Sequence, residues 1–359
     1  MYTRVFNFYR APRSPVICAH VCLKLRTFAA LPTKAPKTSS PTPALLNLTG
    51  SWKHYGGAFG NATMTVANGI CVVDGLIKHS GWNSSLAQLP TNCRPTKRLV
   101  FNLNNHAKIC RVDVFPSGAV TWMSGGKDHA WISLSGISFV TTQSDSKANT
   151  LALESSWRSY GGSFGNATWR VIADGKGGRV CFVEGLIRGG NWYWEMFTLP
   201  TACRPNKRLV FEVNNHAKQT RVDVLQSGQV KRYSGGRDYG WISLAGIVFM
   251  VGASGGQRVL NLTHGWRNHG NAYGPATVAK FGEICMVEGL AYDGTFNQSY
   301  ATLPMDCRPN KRLIMNTNNH ANSARSDVAI NGSVQYVTGS RDTSWMSLTG
   351  ITFVAAGAN

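Results

Sequence analysis

A chain of 359 residues with 43% hydrophobic, 15% charged, 11 Trp and 11 Tyr is too apolar and too aromatic to remain disordered, and it is long enough for two or three domains. Its 38 Gly follow no triplet period, which excludes collagen, and no apolar run reaches the ~18 residues of a membrane-spanning helix. The net charge of +20 suits an acidic partner such as an anionic glycan, nucleic acid or a membrane surface, but the Lys and Arg are scattered, as on a solvated basic face, and no specific nucleic-acid partner is expected.

Residues 1–45 hold seven of the basic residues and no acid. PVICAHVCL follows basic residues as a signal peptide would, whereas the Arg content and the Ser/Thr/Pro-rich end match an organelle transit peptide. The segment is read as a targeting or disordered region outside the fold. A secreted protein is the expectation and an organelle the alternative. Cys18 and Cys22 lie here in CxxxC spacing without neighbouring His or Cys, too little to define a metal site.

After residue 45 one pattern is written three times. SWKHYGG at Ser51 returns as SWRSYGG at Ser156 and GWRNHGN at Gly265. CRPTKRLVFNLNNHAK at Cys93 returns as CRPNKRLVFEVNNHAK at Cys203 and CRPNKRLIMNTNNHAN at Cys307. WISLSGISF at Trp131 returns as WISLAGIVF at Trp241 and WMSLTGITF at Trp345. The copies span 46–142, 151–250 and 259–355, joined by TTQSDSKANT and GASGGQR, which lack apolar periodicity. Within each copy, ICVVDGLI, KRLVFNLN, RVDVF and WISLSGISF are short runs of Val, Ile, Phe and Trp set between Gly, Pro and Asn turns. The expected fold is all-β: three tandem β-sandwich or jelly-roll-like domains.

Chemistry-bearing residues follow in chain order. Asp74, Glu184 and Glu288 share the position before Gly-Leu, with no second acid at a shared position to face them. Cys71 and Cys93, Cys181 and Cys203, and Cys285 and Cys307 each stand 22 apart, one pair per copy, which suggests three disulfides and an oxidising compartment; the alternative is buried thiols. Cys110 is left over. Asn-Asn-His recurs, and Asn105, His106, Asn215, His216, Asn319 and His320 offer the donors and acceptors that sugar hydroxyls need, or cap a turn in which Asn adopts a left-handed backbone. Arg111 and Asp113, with their counterparts, share a strand face as a surface ion pair or a cross-strand ladder pair would.

The loop GGKDHAW recurs as GGRDYGW and GSRDTSW. Asp128, Asp238 and Asp342 would accept hydroxyl protons while His129 and Tyr239 cover an apolar sugar face; Thr343 lacks the ring. Trp131, Trp241 and Trp345 then open the last core strand. Seven N-x-[ST] sequons, among them Asn61 and Asn166 in the same FGNAT setting, add to the case for a secreted glycoprotein.

The ordered elements W-x-x-Y-G-G, G-L-I, L-P-x-x-C-R-P-x-K-R, R-V-D-V and W-I-S-L-x-G-I-x-F resemble the receptor-binding head modules at the C-termini of bacteriophage tail-fibre and baseplate proteins, and similar modules in bacterial and algal proteins. The likeness covers each repeat nearly end to end. It implies a compact β module that trimerises and binds cell-surface carbohydrate. A chain with three copies would then pack as an intramolecular pseudo-trimer within a monomer, the alternative being independent beads on flexible linkers. Cys93, Cys203 and Cys307 and the Asn-Asn-His that follows depart from that pattern, so no sugar specificity carries over. No GxSxG, HExxH, P-loop or Rossmann fingerprint occurs. The expectation is a multivalent, lectin-like glycan-binding protein without enzymatic activity, cofactor or metal, and the runner-up is a structural scaffold.

Overall fold

Short β-branched and aromatic runs between turn residues form strands and little else. The computed structural model, which describes residues 41–296 and 298–357, holds 35 strands and six single-turn 3-10 helices, with no α-helix among the described residues. The protein is all-β. None of the described helices is long and apolar enough to cross a membrane.

Each repeat carries the same three antiparallel sheets. In the first, one sheet runs Ala44–Leu45, Thr63–Ala67, Ile70–Asp74, Ile137–Val140. A second runs Asn47–Leu48, Ser85–Gln88, Ala119–Gly125, Lys108–Val114, Leu99–Asn105, and a third Trp131–Ser133, Leu76–His79, Trp52–His54. The third repeat follows the same order; the second replaces the outermost pair by a bridge from Leu153 to Phe197. Strand Ala44–Leu45 pairs with Met64 and Thr63, so ordered structure begins before the boundary expected at residue 45. The remainder of the targeting reading, with Cys18 and Cys22, lies outside the described residues.

Side-chain alternation explains how the sheets pack. From strand Leu99–Asn105, Leu99, Phe101 and Leu103 enter one apolar cluster with Cys71, Val73 and Phe139 of the facing sheet, as in a sandwich. Strand Ile70–Asp74 is apolar on both faces because both are buried. Cys71 and Val73 serve the repeat's own core, whereas Ile70 and Val72 join Val180, Phe182, Phe281 and Ile284 in a cluster built by all three repeats. The equivalent strands Leu99–Asn105, Leu209–Asn215 and Leu313–Asn319 touch one another pairwise, and residues 40–359 make one compact unit.

Three disulfides, Cys71–Cys93, Cys181–Cys203 and Cys285–Cys307, span Cα separations of 5.4, 5.4 and 5.7 Å and tie the strand of each ICVV-type run to its CRP loop. Each closes a 22-residue separation, for which chain entropy gives about 3 kcal/mol. Replacing Cys181 and Cys203 together by Ala should lower the denaturant-unfolding free energy by about that amount; an unchanged midpoint would show that the bridge is not formed in solution.

Candidate functional site

The loops predicted to bind ligand are held from beneath. Asn105 is fully buried, and its Nδ2 donates to the carbonyls of His129 (3.1 Å) and Trp131. Asn215 does the same to Tyr239 (3.0 Å) and Trp241, and Asn319 to Thr343 (3.3 Å) and Trp345. Each Oδ1 accepts the backbone N–H of the same loop residue, at 3.3, 3.4 and 3.2 Å. These amides replace the ladder bonds that the loop cannot make for itself. The amides satisfy backbone groups, as the structural reading expects, but the left-handed residue of the turn is the His rather than the Asn; Asn105, Asn215 and Asn319 are not ligand contacts, because no part of them reaches solvent.

His106, His216 and His320 occupy the two-residue turn between paired strands, with φ of 62°, 64° and 59°. Their Nδ1 atoms accept from an Arg of a neighbouring repeat: Arg325 to His106 at 3.2 Å, Arg111 to His216 at 3.5 Å, Arg221 to His320 at 3.3 Å. Burial, followed by a positive neighbour, holds the His106 and His216 imidazoles below the usual histidine range. The same guanidinium groups lie over Trp131, Trp241 and Trp345, again across a repeat boundary, at 5.3, 5.1 and 5.1 Å. The tryptophans therefore cover the seams; only Trp241 is buried, which corrects the expectation that all three lie in their own cores.

The Arg–Asp pairs are corrected more sharply. Asp113 has no exposed surface and accepts from both Arg98 and Arg111, each at 2.6 Å, and Asp223 is held likewise by Arg208 and Arg221. Desolvated between two guanidinium groups, these are buried ion triads rather than surface pairs. Asp223→Ala leaves two of those cations without their partner and should cost about 3–5 kcal/mol in urea unfolding; a loss below about 1 kcal/mol would mean the triad is solvated.

A further set of residues was not foreseen. Lys97 crosses into the second repeat and donates to Asn166 O and Thr168 Oγ1, both at 2.6 Å. Lys207 reaches Pro275 O and Thr277 Oγ1 of the third, and Lys311 returns to Asn61 O and Thr63 Oγ1 of the first. Under these lysines lie Glu184, Glu288 and Asp74, which accept backbone N–H groups of Val140, Met250 and Val354 from the adjoining repeat. The acids that share a place before Gly-Leu thus face a lysine rather than a second acid. Burial lowers Lys97 and Lys207 to about 8, and raises Asp74 to about 6 and Glu288 to about 7.

Glu288 sets a pH test. Its ordinary value is 4.5, so the folded chain retains a proton that the unfolded chain has lost. That contribution is complete below 4.5 and is lost as pH rises through about 7. Glu288→Gln, which cannot ionise, should gain in melting temperature relative to wild type as pH is raised from 5 to 8; a constant difference across this range would contradict the assignment.

The aspartates of the GGKDHAW-type loops meet in one place. Asp128, Asp238 and Asp342 line a single open bowl of about 930 Å³, together with Lys108, Lys218 and Asn322 from the neighbouring hairpins. Lys108 pairs with Asp128 and Lys218 with Asp238, while Asn322 donates to Asp342 at 2.5 Å. The Lys108 ammonium beside it holds the Asp128 carboxyl below its ordinary value. His129 and Tyr239 are exposed and pack at a tilt against His106 and His216, with centroids 4.4 and 4.1 Å apart, and neither lines the bowl. Three separate sites were expected; the three loops instead line one common concavity. Cys110 is buried, its thiol pushed up by desolvation, and is poorly suited to react. Among the described residues no group of three His, Cys, Asp or Glu is placed to hold a metal ion. No protein-family model, curated protein or solved structure matches the chain.

Proposed function

We propose that the protein is an extracellular lectin-like protein whose bowl takes one glycan segment. The observation that carries this reading is the convergence of three equivalent Asp-bearing loops on one open concavity. Their carboxylates accept hydroxyl protons and the adjacent ammonium groups donate to ring and carboxylate oxygens, the mixture that a polyhydroxylated or weakly anionic sugar requires. The resemblance to tail-fibre head modules supports the same class of ligand. Secretion is supported by the three disulfides and by the exposure of sequon residues Asn47, Asn61, Asn83, Asn166, Asn261 and Asn331.

The competing reading is a scaffold, favoured by the way the repeated His, Arg and Trp positions are taken up by the seams. A glycan array followed by calorimetry separates the two. The lectin reading expects saturable binding at one ligand per chain, competed by free sugar and persisting in moderate salt. The triple variant Asp128→Ala/Asp238→Ala/Asp342→Ala, exposed and therefore folding normally, should weaken it at least ~10-fold. Binding that vanishes with salt, or that ignores the triple variant, sinks the proposal.

A further inference from the structure

We infer that the three repeats jointly form a site for a hard cation of the Ca²⁺ type, with Glu212 and the side-chain carbonyls of Asn104, Asn214 and Asn318 as its protein ligands.

Alternation along the three central strands turns two rows of polar side chains away from the sandwich cores and towards one another. One row is Asn102, Glu212 and Asn316; the other is Asn104, Asn214 and Asn318. The rows interlock across repeats. Asn104 Nδ2 donates to Asn316 Oδ1 (2.8 Å), Asn214 Nδ2 to Asn102 Oδ1 (3.1 Å), and Asn102 Nδ2 to Glu212 Oε1 (2.6 Å). Asn318 Nδ2 donates to Gln219 Oε1 at 3.3 Å, and Ser323 Oγ to Glu212 Oε1 at 2.7 Å.

The orientation of the second row is set by its donors. Besides those cross-repeat bonds, the amides of Asn104, Asn214 and Asn318 each donate to the carbonyl of the His two residues on, at 2.9, 2.9 and 3.1 Å. Both N–H groups of each amide are used, and the three Oδ1 atoms are left buried with no donor among the described residues. Glu212 Oε2 is in the same condition. These three asparagines are 2%, 0% and 1% exposed. Four orphan acceptors gathered from three parts of the chain stand against one orphan donor, Gln219 Nε2.

Buried acceptors are costly unless something positive or proton-bearing faces them. The donor set is all oxygen, three neutral and one carboxylate, with no sulfur or imidazole nitrogen among them. This suits Ca²⁺, which takes carbonyls and carboxylates in a flexible shell, better than Zn²⁺. A cavity of about 40 Å³ borders the row of Asn102, Glu212 and Asn316, so that of the four proposed ligands Glu212 alone reaches it. Gln219 and Ser323 bond into the cluster and also line the bowl, which marks the side from which an ion would enter.

Calorimetric titration of the EDTA-stripped, full-length protein with CaCl₂, and its melting temperature in EDTA and in CaCl₂, test the site. One Ca²⁺ per chain and a raised melting temperature are expected. Glu212→Asn, which installs the residue that positions 102 and 316 already carry, should weaken binding at least ~10-fold. Glu212→Gln is the second variant should the first not fold. The triple Asp variant of the bowl should bind Ca²⁺ as wild type does, which separates this site from the glycan proposal. No heat and no thermal shift with wild type, or equal Ca²⁺ binding by the Glu212 variants, overturns the inference.

Discussion

Lys97, Lys207 and Lys311 each leave their own sandwich and end beneath a loop of another, and the order of these crossings governs how the repeats are arranged. The first repeat reaches the second, the second the third, and the third returns to the first. The following arginines repeat the circuit through the backbone, Arg98 N–H to Ser163 O, Arg208 to Ala272 and Arg312 to Ala58. The ring also places desolvated ammonium groups over buried carboxylates, an arrangement whose net stabilisation is modest.

That ring accounts for the loops as well. Because the three hairpins ending in His106, His216 and His320 are brought side by side, the Asp-bearing loops they support open into a common bowl rather than onto three flanks. The asparagines beneath those loops transmit the position of the hairpin to the loop through two carbonyls each. Divergence between the repeats is therefore felt in one place. Asn322 replaces the lysine of the other hairpins, and Arg237 engages Tyr193 at 2.6 Å in the second repeat, so the bowl has unlike walls.

The same convergence places Glu212 where its counterparts are amides. An acid at a single one of three equivalent positions breaks the symmetry of the polar rows. The uneven bowl and the lone acid are two of the features that distinguish this chain from an assembly of three identical modules.

Much of the fold is legible in the sequence because its signals are local. Strand-forming runs, turn residues and a threefold return of every motif identify an all-β chain, and the 22-residue spacing of the cysteines pairs them correctly. The site is not legible in that way. The position before Gly-Leu was visibly acidic in all three repeats, and CRP-x-K-R visibly basic, yet nothing in either segment says that the two meet across a boundary between repeats. Arg111 and Asp113 read as a surface pair because i and i+2 share a face; which face is covered is decided by the neighbour that covers it. Strands, cores and bridges are written locally, since they depend on residues close in the chain or repeated within it. Which polar residues are buried is set by the packing of one repeat on another, because desolvation is a property of what packs on top.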